Sequence, residues 1–243
     1  MSSASTAYVL STRALSAALI AEAASRGIVI DVVPFIATEK REDETLTNRL
    51  ADLARGPLTA IFTSTNAVTA VFADTNAAMA KEAAANWKIF CLNGATRRAA
   101  AERFGENAIA GAADSAKELA ETIIGHETSD TCWFFCGDKR REELPEKLKT
   151  AGWKVHEIVV YRTILTPHRI DKPYDAVIFF SPSAVESFFS TNTPGPQIRL
   201  FAIGRTTAAA IRAKCPNPVV ISEQPDEQIL IRQIIATHDS GKK

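Results

Sequence analysis

The sequence lacks an excess of charge of either sign. Its 28 lysines and arginines are matched by 28 aspartates and glutamates, leaving a formal net charge of zero. A balanced chain has no long-range field with which to hold a nucleic-acid duplex or an anionic membrane surface, so neither is expected as a partner. The common phosphate, metal and hydrolase signatures are missing as well. No GxGxxG follows the first expected strand, and GxxxxGK[ST], HExxH and the GxSxG nucleophile elbow do not occur. No apolar run approaches the ~20 residues that span a bilayer. The apolar stretch 15–24 is broken by Glu22 and preceded by Arg13, which does not suit a secretory signal. Cysteines number four, and Cys132 and Cys136 share one strand-like run, not the short loop of a zinc site. They read as buried free thiols in a reducing compartment. The four histidines show no ligand spacing, and His126 and His238 fall at equivalent points near helix C-termini, where the helix dipole favours them. These absences together describe a cytoplasmic, soluble chain with no metal site.

What is present is a repeat. Ile61-Phe62-Thr63-Ser64-Thr65-Asn66-Ala67-Val68 returns 117 positions later as Ile178-Phe179-Phe180-Ser181-Pro182-Ser183-Ala184-Val185. Phe90-Cys91-Leu92-Asn93-Gly94-Ala95-Thr96 returns 110 positions later as Leu200-Phe201-Ala202-Ile203-Gly204-Arg205-Thr206. Ile123-Ile124 and Ile234-Ile235 keep nearly that offset, while Gly27 and Gly152 correspond more loosely. A period this long, with mixed elements in each copy, signals a duplicated domain and not a solenoid. The apolar fraction of 46% is enough for each half to bury a core of its own.

Strands are expected at about ten places: 8–10, 28–33, 59–63, 88–92, 108–110, 131–136, 155–160, 176–180, 199–203 and 218–221. Each is followed by a helix or by a connection long enough for one, including an alanine-rich helix ahead of the 88–92 strand. Continuously apolar strands are the mark of a parallel sheet buried on both faces. The fold class expected is α/β, with two doubly wound, flavodoxin-like parallel-sheet domains of five strands each. Composition shifts near 36–40 and 161–167, at equivalent points of the two repeats. If the chain crosses between domains at both, one domain is 1–35 plus 168–243 and the other is 40–160. The segments 36–39 and 161–167 are then crossing linker strands. Two plain tandem halves are the alternative.

Polar clusters stand where strands give way to helices: Thr12-Arg13, Ser64-Thr65-Asn66, Gly94-Ala95-Thr96, Gly137-Asp138-Lys139-Arg140-Arg141, Ser181-Pro182-Ser183 and Gly204-Arg205-Thr206-Thr207. In open parallel sheets ligands sit beyond the carboxyl ends of strands, against free helix N-terminal amides. Ordinary helix capping accounts for any one cluster alone. Four of the six also carry basic residues, and helix starts normally favour acidic ones. Arg13, Arg97, Arg98, Arg140, Arg141 and Arg205 are therefore expected to face a polyanionic ligand in one interdomain cleft. Tyr161 closes an apolar strand at the proposed crossing, where its hydroxyl either faces that cleft or is structural.

In order and spacing these residues resemble the uroporphyrinogen-III synthase family over nearly the whole chain, 8–235. Thr63-Ser64-Thr65-Asn66-Ala67-Val68 is similar to the family's T-S-x-N-A-V. Ser181-Pro182-Ser183-Ala184-Val185 is similar to its S-P-S-x-V, and Ala202-Ile203-Gly204-Arg205-Thr206-Thr207-Ala208 to its A-I-G-x-T-T-A. The run from Arg141 through Leu144, Leu148, Gly152 and Val155 to Val160-Tyr161 matches a further stretch. Two departures stand out. Ala14 follows Arg13 where the family usually has proline, and Thr96 falls two residues after Gly94 where the family's threonine falls three after, a place taken here by Arg97. The resemblance implies two doubly wound domains joined by a pair of crossing strands, and a reaction without cofactor or metal. Hydroxymethylbilane would lose its hydroxyl as water and close through a spiro intermediate with its last pyrrole ring inverted, giving uroporphyrinogen III. Substrate carboxylates would meet Arg13, Ser64, Asn66, Gly94, Thr96, Arg141, Ser181, Ser183, Gly204, Thr206 and Thr207. Tyr161 is the candidate general acid, with bound water or a substrate carboxylate as rivals. A monomer is expected. The competing reading is a non-catalytic, two-lobed protein that closes on a small polyanion.

Overall fold

A computed structural model describes residues 6–41, 43–71, 82–83, 85–126 and 130–240. From the N-terminus run β1 (Ala7–Ser11), α1 (Ala17–Ala24), β2 (Ile28–Val32), β3 (Ile36–Lys40), α2 (Glu44–Ala54), β4 (Leu58–Phe62) and α3 (Thr65–Val71). Next come β5 (Trp87–Leu92), α4 (Ala95–Phe104), a 3-10 turn at Glu106–Ala108, β6 (Ile109–Ala113), α5 (Ala116–His126), β7 (Thr131–Gly137), α6 (Glu143–Thr150) and β8 (Lys154–Leu165). The chain ends with β9 (Ala176–Phe179), α7 (Pro182–Phe189), β10 (Arg199–Ala202), α8 (Arg205–Arg212), β11 (Val219–Ile221) and α9 (Glu227–Ser240). Much of the alanine-rich helix expected before β5 lies outside the described residues.

Two compact units result, one from Met1–Ala37 and Ile164–Lys243, the other from Thr38–Thr163. The first holds a five-stranded sheet in the order β11-β10-β9-β1-β2, with every pair parallel. Read outward from its second strand this is 2-1-3-4-5, the flavodoxin order. Alternate residues divide between the two faces. Val9, Ile28, Ile30, Ala176, Ile178 and Phe201 pack against Leu19 and Ala23 of α1 and Leu230, Ile231, Ile234 and Ile235 of α9. Leu10, Val177, Phe179, Leu200 and Ala202 pack on the other face, against Ala184, Val185 and Phe188 of α7 and Ala208 and Ile211 of α8. Helices on both faces explain why these strands read as unbroken apolar runs.

The second unit holds six strands in the order β3-β8-β7-β4-β5-β6. Ala60 and Phe62 of β4, Trp87, Ile89 and Cys91 of β5 and Phe135 of β7 meet α2, α3 and α4 on one face. Phe135 stacks between Phe62 and Trp87, with ring centroids 5.1 and 5.2 Å away. Ile61, Phe90, Cys132, Phe134 and Cys136 meet α5 and α6 on the other face. Setting β3 aside, β8-β7-β4-β5-β6 is again 2-1-3-4-5, now with the chain entering at the third position.

The sequence accounts for ten strands and five per sheet, whereas eleven are present among the described residues and the second sheet has six. The additional strand is β3, and β8 continues five residues past the expected end at Val160. Both lie in segments read as linkers. Their residues are exposed or half-buried and none is fully buried, so backbone pairing continues where the apolar run stops. Tyr161 consequently sits inside a strand and does not close one.

Candidate functional site

In each sheet the polar clusters gather at the carboxyl ends of neighbouring strands. The first sheet changes direction between β1 and β9, the topological switch point at which doubly wound folds bind ligands. Thr12-Arg13 follows β1, Ser181 to Ser183 follows β9, and Gly204 to Thr207 follows β10 one strand further out. Thr12 is fully buried and ties the first two together, its backbone N–H and hydroxyl both donating to the Ile178 carbonyl at 3.1 and 2.8 Å. Ser181 caps α7, accepting from the Ala184 N–H at 3.1 Å, so its side chain serves the fold. Ser183 and Gly204 are half-buried and Thr206 is exposed. Thr207 is buried at 2%, and no described protein group hydrogen-bonds its hydroxyl.

The second sheet switches between β4 and β7. Ser64 to Asn66 follows β4, Gly137 closes β7 with Asp138 to Arg141 after it, and Gly94 to Thr96 follows β5. Ser64 Oγ accepts from the Asn66 N–H at 3.1 Å and from the Tyr161 hydroxyl at 3.2 Å, which brings the sequence-derived acid candidate onto the β4 cluster. Asn66 itself is exposed. Gly94 has φ 75°, a conformation that favours glycine, and the helix that it starts buries Thr96. Thr96 thus shares the burial of Thr207 although it stands one position earlier in its helix, while Arg97 is paired with Glu106.

The basic residues do not form one uncommitted set. Arg13 is ion-paired with Glu227 at 2.6 Å, and its guanidinium lies 4.2 Å from the centre of the Phe180 ring. Arg140 is held by Glu157 and Glu142. Burial opposes the charge on Glu157, but hydrogen bonds from Lys149 and Arg140 outweigh it and hold the carboxyl below its usual pKa. Arg98, Arg141 and Arg205 are exposed and make no ion pair among the described residues. Of the six arginines expected to face a polyanionic ligand, three, Arg13, Arg97 and Arg140, are thus already paired with carboxylates of the chain. Glu227, Phe180, Gly137 and Asp138 are the neighbours whose roles sequence reasoning missed. The first two were invisible because they reach the site from a different element. Gly137 and Asp138 were noticed only for the arginines that follow them.

Cys91, Cys132 and Cys136 are buried, which pushes their thiols up to about 11, 12 and 11. Thiols so placed are inert packing groups. Among the described residues no helix is long and apolar enough to cross a membrane.

Two flavodoxin-ordered α/β units, each with polar clusters converging at its own switch point, define a class of doubly wound ligand-binding proteins. Comparison narrows the class. The family model described as Uroporphyrinogen-III synthase HemD matches residues 17–232, and the chain belongs to that family. The uroporphyrinogen-III synthase of Saccharomyces cerevisiae is 29% identical over 141 residues, 48% of this chain and 51% of that protein, so the match spans about half the length of the yeast relative. Among solved structures, the uroporphyrinogen-III synthetase of Helicobacter pylori has a TM-score of 0.71 at 16% identity, covering 96% of this chain and all of that one. A mutant uroporphyrinogen III synthase from Thermus thermophilus gives 0.60 at 18% identity, covering 97% of this chain and all of that one. At these identities the structural likeness establishes the fold.

Proposed function

We propose that this protein is a uroporphyrinogen-III synthase, a cyclising hydro-lyase of tetrapyrrole biosynthesis. The observation that carries the proposal is the meeting of Tyr161 with the Ser64 cluster at the switch point of the second sheet, in a chain of this family. Hydroxymethylbilane carries acetate and propionate carboxylates on its rings. Arg13, Arg141, the first-turn residues Thr96, Thr206 and Thr207, the Ser64-Asn66 and Ser181-Ser183 turns and the amides at Gly94 and Gly204 supply the hydrogen-bond donors that such groups require. Tyr161 gives a proton to the departing hydroxyl, which leaves as water. The last pyrrole ring attacks the electron-poor carbon through its own substituted carbon, the spiro intermediate fragments, and the ring recloses inverted with loss of a proton. Without a substrate the Tyr161 proton rests on Ser64, so the donor is already oriented. Positioning of the ends of the chain supplies the rest of the rate.

The same reading makes the enzyme a monomer of two domains that needs no cofactor; its zero net charge argues against a nucleic-acid partner, and its buried free thiols suit a reducing cytoplasm. Incubation with enzymatically made hydroxymethylbilane, followed by separation of type I and type III isomers, tests it. An excess of type III above the spontaneous product is expected. Binding without any type III would overturn the enzymatic reading in favour of a polyanion receptor.

A further inference from the structure

We propose that Gly137 and Asp138 are positioning residues that seat Tyr161; the catalytic meaning of that seat rests on the function proposed above. In β7 and β8 the pairing runs in step up to Cys136 with Val159, and then Gly137 pairs with Tyr161, so Val160 is skipped. This bulge breaks the alternation of faces. Val160 and Tyr161, although consecutive, both pack on the cluster formed by α2, α3 and α4, whereas strict alternation would send Tyr161 to the opposite face.

The space that the ring then occupies is the space that a side chain at 137 would fill. A Cβ built on Gly137 falls 2.5 Å from Cζ, 2.6 Å from Cε2 and 2.8 Å from the hydroxyl of Tyr161. All three contacts are with the far end of the ring and none is with backbone. An alanine is therefore accommodated by swinging the half-exposed tyrosine away from Ser64, without unfolding the sheet. Asp138 completes the seat. Its N–H donates to the Tyr161 carbonyl at 3.2 Å, and its carboxylate accepts from the Thr163 N–H at 2.8 Å, so one residue fixes β8 at the tyrosine's own carbonyl and again two residues beyond it.

The chain contains three tyrosines, so protein labelled with 3-fluorotyrosine gives three fluorine resonances, and Tyr161→Phe identifies the relevant one. In Gly137→Ala that resonance shifts while the other two stay, the thermal midpoint is held, and turnover falls by at least about tenfold, the scale of a lost proton donor. Introduced into Tyr161→Ala, the same substitution lowers turnover no further. Asp138→Asn, which keeps the acceptor oxygen, retains more turnover than Asp138→Ala, and this pair decides the matter if Gly137→Ala does not fold. An unmoved Tyr161 resonance in Gly137→Ala overturns the seat. So does a full additional loss in the Tyr161→Ala background, which would make Gly137 a purely structural residue. If the resonance moves but the wild-type protein forms no type III isomer, the seat stands and the functional reading falls.

Discussion

At the residue scale, the site side chains differ in what they can lose. Tyr161 has one hydroxyl, one described partner and no duplicate, so Tyr161→Phe is expected to leave folding nearly intact and to lower turnover at least about tenfold, within the ~100- to 10,000-fold that general acids contribute. Thr207→Ala removes one neutral hydroxyl beside other donors, at about 1 kcal/mol, or roughly fivefold. Steady-state rates for the two variants check the ranking; full activity in Tyr161→Phe with none in Thr207→Ala would move catalysis from proton donation to binding geometry. A second residue-scale expectation concerns Asp31, Lys172 and Tyr174, away from both switch points. Burial, reinforced by the hydrogen bond to Asp31, pushes Tyr174 up to about 12, while hydrogen bonds from Lys172 and then Tyr174 lower the Asp31 carboxyl. A raised pKa means that the folded state holds its proton longer than the unfolded chain does. The Tyr174 contribution is therefore complete below about pH 10 and is lost between about 10 and 12. The depressed Asp31 acts in the opposite sense: its contribution is present above about pH 3.9 and is lost as pH falls through the lower folded value. Tyr174→Phe should flatten the alkaline loss and weaken the acid one. Thermal midpoints from pH 2 to 12 measure this, and parallel curves for variant and wild type would exclude it.

At the element scale, two helices that the repeat makes equivalent begin differently. Gly94 opens α4 at φ 75°, which an L side chain tolerates poorly, so Gly94→Ala should destabilise by about 1–3 kcal/mol. Gly204 opens α8 at φ −175°, extended backbone open to any residue, and a Cβ there meets nothing within 4 Å. Neither conformation nor packing in the free protein demands a glycine at 204. Gly204→Ala should accordingly unfold within about 0.5 kcal/mol of wild type and yet raise KM, because the new methyl stands where a substrate carboxylate would approach the amide. An unchanged KM would remove Gly204 from the site. The same scale shows what the sequence made legible. Most strands were readable because burial on both faces leaves an unbroken apolar run, as in β4, where all five residues are buried. The strand β3 and the 161–165 end of β8 were not, because half of their residues face solvent and periodicity fades while hydrogen bonding continues. Polar turns at strand ends were legible as candidates. Which arginines were already paired was not, since Glu227 lies 214 positions from Arg13.

At the scale of the whole molecule, each sheet takes its first two strands from one repeat and its last three from the other. The first combines β1 and β2 with β9, β10 and β11, and the second, apart from its edge strand β3, combines β7 and β8 with β4, β5 and β6. The switch point in each therefore falls where the two repeats meet, and the polar turns on its two sides come from different copies of the duplicated sequence: Arg13 with Ser181, and Gly137 with Ser64. The consequence for stability is asymmetric. The second unit is continuous in the chain, and both of its apolar clusters, around Phe62 and around Phe134, are made from residues within Thr38–Thr163. The first unit is discontinuous. Its segment before Ala37 holds only β1, α1, β2 and the start of β3, whose Val9 and Leu10 find their second sheet neighbour in Ala176 and Val177. A fragment spanning 36–165 is thus expected to fold alone with a cooperative denaturant transition, since a domain needs its own enclosed core to be autonomous. The fragments 1–37 and 164–243 should each remain unfolded and regain structure on mixing, because β1 belongs between β2 and β9. Circular dichroism and urea titration of the three fragments decide between these outcomes. A 36–165 fragment without a cooperative transition would mean that its core depends on the remainder of the chain, and the division into two self-contained folding units would have to be abandoned.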